Sequence, residues 1–333
     1  MTTHYTIPET TPERTWRPVQ QQDSSSRGIR LRVMEWNIWQ GGREAGGERN
    51  VDQLIEFIRQ QHVDILFMLE TYGSGDKILA GLNAGRPEDD RFSGIRITHR
   101  PEPNRDNLWI FTRFPVVKEH PRINEQALSS FNFGGVKIKL PTGRKVHLFN
   151  TWLWHEGPAW GRTHQTVGEI LQGKKRTFTE AEILATDLER RFEMAKIILD
   201  DRLPRYVQDD DAIILAGDLN TLPYLDWIPE FAGAPGHAGL VLPWPVTQLF
   251  YEAGFVDTYR TARPDAGRFP GSTWSPLYGY GHAPGRIDYI FVRGDRIRVL
   301  DSFTLDKRLP GHEHPKFPFC SDHAAVVSDL LFE

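Results

Sequence analysis

Ile29-Arg30-Leu31-Arg32-Val33-Met34-Glu35-Trp36-Asn37 opens with apolar residues alternating against arginines and closes on an amide. That period of two predicts a strand. Downstream, Val51, Leu54, Ile55, Phe57 and Ile58 recur at helical spacing, and residues 63–69 form an apolar run that stops at Glu70. Strand, helix and strand in this order predict a right-handed crossover between neighbouring strands.

The same grammar recurs far along the chain. Residues 212–217 run into Asp218-Leu219-Asn220, Arg286-Ile287 into Asp288-Tyr289, and residues 317–321 into Asp322-His323. Five such strand ends would present oxygen ligands and one imidazole at a common rim. A hard divalent cation is held that way, because Mg²⁺ takes carboxylate and amide oxygens and keeps several waters. The pattern points to a metal-dependent phosphoester hydrolase.

Between these motifs, short β-like runs at 92–98, 108–111, 136–140 and 146–151 predict a hairpin-rich middle and hence a mixed sheet. Ala181, Leu184, Leu188, Phe192, Ala195 and Ile198 predict one helix over about 180–199, and residues 212–216 a fully buried strand. A helix near 247–253 and strands at 287–292, 297–304 and 324–331 complete the reading. With no internal repeat and no clean linker, two packed sheets with helices on their outer faces account for this order better than two domains. Residues 1–28, rich in Thr, Pro, Gln and Ser, read as a flexible arm, and 29–333 as a single catalytic domain. Segments 156–179, 229–245 and 264–284 read as irregular loops shaping a substrate mouth.

Composition limits the alternatives. The 333 residues are 39% hydrophobic and 25% charged, with 10 Trp and 19 Phe to fill a large core, which excludes disorder throughout. The net charge of −4 lacks the basic excess usual for a duplex-binding domain. The single cysteine, Cys320, reads as a packing residue, and no apolar stretch approaches a membrane span or signal peptide. The expectation is a soluble, cytoplasmic protein.

Each motif is modest alone. Glu70 at the end of a core strand is a carboxylate that a cation would offset; Asn37 there could equally close a turn. Asp218 and Asn220, two apart after Gly217, suit an acid that orients or deprotonates water beside an amide that holds a phosphate oxygen. Asp288 could fix the tautomer of His323 and stabilise its charged form, leaving the other ring nitrogen to face a phosphate.

Taken together, Glu35-Trp36-Asn37-Ile38, Leu69-Glu70, Gly217-Asp218-Leu219-Asn220, Arg286-Ile287-Asp288-Tyr289-Ile290 and Ser321-Asp322-His323 resemble the endonuclease/exonuclease/phosphatase superfamily, with its DNase I-like fold. Thr112-Arg113-Phe114-Pro115 and Gly41-Gly42 are similar to that family as well. The resemblance implies a four-layer α/β/β/α sandwich. It further implies Glu70 as the principal Mg²⁺ ligand (Mn²⁺ as substitute), with Asn37 and Asp322 beside the metal directly or through water. Asp218 would activate water, Asn220 and His323 would hold the scissile phosphate, and Asp288 would pair with His323. Direct in-line attack by water would follow.

Two departures stand out. Many members carry a His after an Asn-Thr strand end, but here Asn150-Thr151 is followed by Trp152, with His155 three residues on. Either His155 reaches the phosphate from a shifted loop, or Trp152 and Trp154 line a pocket. Trp39 also replaces an acidic residue found in some DNA-repair members. The loop histidines His164, His282, His312 and His314 lack the spacing of a helix-borne zinc pair.

The mouth segments mix Trp160, Arg162, His164, Lys174, Lys175 and Arg176 with Trp244, Trp274, Tyr278 and Tyr280, which suit a base, a sugar or a lipid headgroup. The acidic balance favours a small-molecule, sugar, inositol or headgroup phosphoester. A nuclease on DNA or RNA is the alternative, and a silent binding module of the same fold a third reading.

Overall fold

The computed structural model describes residues 28–100, 102–157 and 159–333; the expected arm lies outside them, save Gly28. Two six-stranded sheets face each other. The first contains β1 (Ile29–Asn37), β2 (Ile65–Leu69), β3 (Ser93–Arg96), β4 (Trp109–Thr112), β11 (Ile297–Leu305) and β12 (Ala325–Phe332), in the order β11-β12-β1-β2-β4-β3. The second contains β5 (Val116–Glu119), β6 (Phe133–Lys139), β7 (Lys145–Trp152), β8 (Ala212–Asp218), β9 (Val256–Asp257) and β10 (Asp288–Arg293), in the order β5-β6-β7-β8-β10-β9. Both sheets are mixed: β1–β2 and β7–β8 are parallel and the other pairs antiparallel.

The alternation in β1 explains the layers. Leu31 and Val33 point between the sheets, where they meet Phe67, Leu148, Ile214 and Ile290. Met34 and Trp36 point outward against helix α1 (Glu48–Gln60) through Val51, Leu54 and Ile58. On the other outer face, Phe149, Leu215 and Phe291 pack against the helices Arg190–Lys196 and Pro245–Glu252. Helix, sheet, sheet and helix thus stack as the predicted four-layer sandwich.

The sequence reading departs from the structure in four places. The helix expected over 180–199 is broken: Glu180–Ala185 ends before Arg190–Lys196 begins, and the chain continues as a π-type turn over Ile197–Arg202. Asp187, fully buried in the break, accepts from Val246 N and Arg191 Nε, while Leu188, expected on the apolar face, is exposed. The segment 156–179, expected to be irregular, contains a thirteen-residue helix, Ala159–Leu171. The helix Gly75–Asn83 and the edge strand β5 were not anticipated. Asp288 opens its strand and His323 precedes β12 rather than ending one, and antiparallel pairing still brings both to the expected rim. Among the described residues, no helix is long and apolar enough to cross a membrane.

Candidate active site

The last residues of β1, β2, β7 and β8 and the first of β10 and β12 meet at one rim, so the site straddles both sheets. Register fixes the neighbours: Asn37 lies opposite Leu69, Trp152 opposite Asp218, and Asp218 opposite Asp288. Gly217 permits this approach. It takes φ +149°, and a Cβ there would lie 1.8 Å from the carbonyl oxygen of Thr151, so only glycine allows β7 and β8 to close at Asp218.

Asn37 is the bridge between the sheets. Its Nδ2 donates to Glu70 Oε1 (3.0 Å) and Asp218 Oδ2 (3.3 Å), while its Oδ1 accepts from Trp39 N. Glu70 takes a left-handed φ of 55°, a conformation that costs a non-glycine residue energy and persists only where the surroundings enforce it. Asn107 does so here, accepting from Glu70 N at 2.7 Å, and Glu70 Oε2 in turn accepts from Gln40 N. Asn220 is also left-handed, at φ 51°; its N–H donates to Asp218 Oδ1 and its Nδ2 to the Leu153 carbonyl.

His323 is buried and its Nδ1 meets both Asp288 oxygens, at 3.1 and 2.9 Å. Burial would push the imidazole toward its neutral form, but Asp288, with Asp322 and Asp218, outweighs it and raises the pKa well above the ordinary value. Ser321 Oγ supports the turn, donating to the Asn37 carbonyl and accepting from His323 N. Burial and then Asp288 push the Asp218 carboxyl upward. Asp322 is raised chiefly by burial, with Glu70 contributing, and its Oδ1 is buried without a partner.

Seven of the eight predicted site residues therefore converge: Asn37, Glu70, Asp218, Asn220, Asp288, Asp322 and His323. His155 stands at the edge, exposed, with its ring stacked on Trp152 at 4.9 Å and 12°. It is Trp152 that reaches inward, its Nε1 donating to Asp218 Oδ2 at 3.2 Å.

Sequence reasoning missed two contributors, Asn107 and Glu35, and named Trp152 only as a pocket-lining alternative to His155. Asn107 carries no local signal for its role, and the donor role of Trp152 arises only from tertiary contact. Glu35 did carry one: it shares the strand face of Leu31 and Val33, so a carboxyl was bound to fall between the sheets. It is fully buried with both oxygens unpartnered, and burial, then Asp288 and Asp218, hold its pKa far above the carboxylate range.

The family model described as Endonuclease/Exonuclease/phosphatase family matches residues 34–323. The chain belongs to this family. Members are generally phosphoester hydrolases and typically depend on a divalent metal. Among solved structures, the chain resembles the human Nocturnin catalytic domain with bound sulfate (17% identity, TM-score 0.57, 91% of this chain and 95% of that one). Truncated Caenorhabditis elegans TDP2 is similar at 17% identity and TM-score 0.56, covering 91% and 98%. A family protein from Beutenbergia cavernae matches at 19% and 0.55, covering 91% and 72%. At these identities the likeness shows the DNase I-like fold. No curated protein matches the sequence.

Proposed function

We propose that this family member is a divalent-metal-dependent phosphoester hydrolase in which water attacks phosphorus directly. The observation that carries the reading is the set of carboxyls at the rim, Glu70, Asp218 and Asp322, one of whose oxygens is buried without a partner, beside an Asp-paired imidazole. A hard cation fits this donor set. Glu70 and Asp322 would hold it with Asn37 alongside, and when bound it would stabilise charge on the phosphate and the leaving oxygen.

The remaining chemistry belongs to side chains. Asp218, held by Asn37, Trp152 and the Asn220 N–H, orients the attacking water and takes its proton. Asn220 and His323 hold the phosphate, the imidazolium donating from Nε2 while Asp288 fixes Nδ1. His155, exposed above Trp152, is placed to meet the substrate outside the phosphate. No bond to an enzyme nucleophile is needed.

We favour a small-molecule, sugar, inositol or headgroup phosphoester as substrate. One observation supports the nuclease reading: Tyr72 and Phe131 stack at 6.3 Å with Arg100 lying 4.1 Å over Phe131, a platform on which a base can rest. One neighbour, Danio rerio TDP2, was solved with a single-strand DNA product. The test is Mg²⁺- and Mn²⁺-dependent turnover of aryl phosphates, inositol and sugar phosphates and plasmid DNA by wild type, Glu70→Ala and His323→Ala. Metal-dependent turnover lost in both variants supports the hydrolase; a nuclease would add binding that weakens steeply with salt.

A further inference from the structure

We propose that a cleft at the end of β10 remote from the rim is a docking site for an extended, acidic segment of a partner polypeptide, which adds as a further strand beside β11. The proposal is independent of the hydrolase reading: β10 carries Asp288 at one end and Arg293, which belongs to the cleft, at the other.

The cleft holds about 620 Å³, a volume typical of binding sites, and opens where the two sheets part at their sides. β11 is the outermost strand of the first sheet and β9 of the second, and both contribute to its walls. Ile297, Arg298 and Val299 alternate between the faces of β11, yet all three line the cleft. The wall on that side is therefore the edge of the strand. Such an edge turns the N–H and C=O of every second residue outward, and among the described residues the main chain of 297–300 is hydrogen-bonded to β12 alone. The open edge is short: a bulge between Val299 and Asp301 interrupts the pairing, and beyond it Arg263 is ion-paired to Asp301 at 2.8 Å.

Two observations say what adds there. Ile297 and Val299 pack against the core between the sheets yet stay half-buried, and Val256, also in the wall, is 44% exposed. The core is thus open sideways, and a β-branched side chain on an added strand closes it. The second observation is charge. Arg293 lies half-buried over Phe255, 4.7 Å from the ring centroid, and its Nη1 donates to the Ala253 carbonyl at 3.2 Å. That uses one of its five donors, and among the described residues no carboxylate is paired with it. Burial lowers its pKa from the ordinary value, so the guanidinium has lost water without gaining an anion. Arg298 is exposed and ion-paired only to Glu333, at 3.4 Å. An acidic side chain two residues along from the β-branched one, on the same face of the added strand, meets Arg293 in a charge-assisted pair.

The test is fluorescence polarisation of a fluorescein-labelled Thr-Val-Thr-Glu-Thr amide with the full-length protein, read beside amide exchange by mass spectrometry. The peptide should bind saturably and slow exchange at 297–300. Replacing its Glu by Gln should weaken binding about tenfold, and Arg293→Met should weaken the Glu peptide by as much while leaving the Gln peptide unmoved. Arg298→Glu, a change at an exposed side chain that keeps the fold, should also weaken the Glu peptide. Methylating the backbone nitrogens of either the odd or the even residues should abolish binding, and methylating the other set should not, because a strand offers one set to its neighbour. The proposal is overturned by no saturation below about 1 mM, by equal affinity for the Glu and Gln peptides, by the two methylated peptides behaving alike, or by protection that falls on the rim. Slow exchange at 297–300 in the protein alone overturns it too, since a second copy or the chain itself then covers the edge.

Discussion

His323 Nε2 and Asp218 Oδ2 stand 4.0 Å apart, each held from behind: the imidazole by Asp288, the carboxylate by Asn37 and Trp152. That separation is too long for a hydrogen bond. It suits a donor and an acceptor that each meet a different oxygen of one ligand, the phosphate on the histidine side and the attacking water on the aspartate side.

If so, Asp288 acts through His323. Asp288→Asn keeps the shape but removes the charge that holds the imidazole protonated and in its tautomer. We expect kcat to fall about 10²- to 10⁴-fold with little change in KM. Steady-state kinetics on the best substrate of the panel checks this, and a change confined to a raised KM would reassign Asp288 to substrate binding.

The strands that lead to Glu70 and Asp218 were legible as apolar runs buried on both faces, and the strand that ends at Asn37 by its alternation of apolar residues with Arg30 and Arg32; the carboxyl or amide ending each has few other reasons to be there. The helix Ala159–Leu171 was not. Its sequence holds two glycines and four β-branched residues, poor helix formers, and Val167, Trp160 and Ile170 join a cluster with Leu222, Trp227 and Trp244 from distant segments. The opposite error arose at Leu188, where chance periodicity extended a helix through the turn that buries Asp187. Trp152 shows a third limit: sequence placed it beside the site, but only the register of β7 against β8 turns its N–H onto Asp218.

Glu35 is a stability cost left in the core. Its folded pKa is raised, so its contribution to stability is most favourable below the unfolded value near 4.3 and is lost as pH rises toward the folded one. Glu35→Met removes the unpartnered carboxyl at similar volume. The variant should be more stable than wild type by about 1–3 kcal/mol at pH 8, with a smaller gain at pH 4. Urea unfolding at the two pH values measures it, and a loss at pH 8 would mean that Glu35 has a partner worth more than its burial costs.

Arg286 ties the strand that begins at Asp288 to the loops around it. Fully buried, it donates to Asp257 Oδ2 at 2.7 Å and Asp226 Oδ1 at 3.1 Å, and Asp226 also takes the fork of Arg260. Arg286→Met strands buried carboxylates, and the expected loss is about 3–5 kcal/mol. Adding Asp257→Asn should recover part of it, because the stranded charge and not the missing contact carries most of the cost. Denaturant titration of both variants checks this, and a double variant no better than the single would place the cost in packing.

The far edge of the second sheet makes a separate prediction about acid. His120 is buried and stacks on Phe149 at 4.9 Å and Tyr206 at 5.2 Å. Its Nε2 meets His147 Nδ1 at 3.0 Å, and His147 Nε2 meets Asp209 Oδ1 at 3.0 Å. Burial, then His147, Lys118 and Lys137, push the His120 pKa down to about 3, and burial lowers that of His147 as well. For a folded pKa below the unfolded one, the stability is present above about 6.5. It is lost as pH falls through the window down to 3, by at most about 1.4 kcal/mol per unit for His120. His120→Phe keeps the aromatic stack and removes that proton site. It should unfold at a slightly lower temperature at pH 8, since His147 Nδ1 loses its partner, yet lose less between pH 6.5 and 4 than wild type. Because His147 still titrates, the slope should shrink without vanishing. Calorimetry across that range decides the point: an unchanged slope would mean that His120 accepts a proton without unfolding the edge.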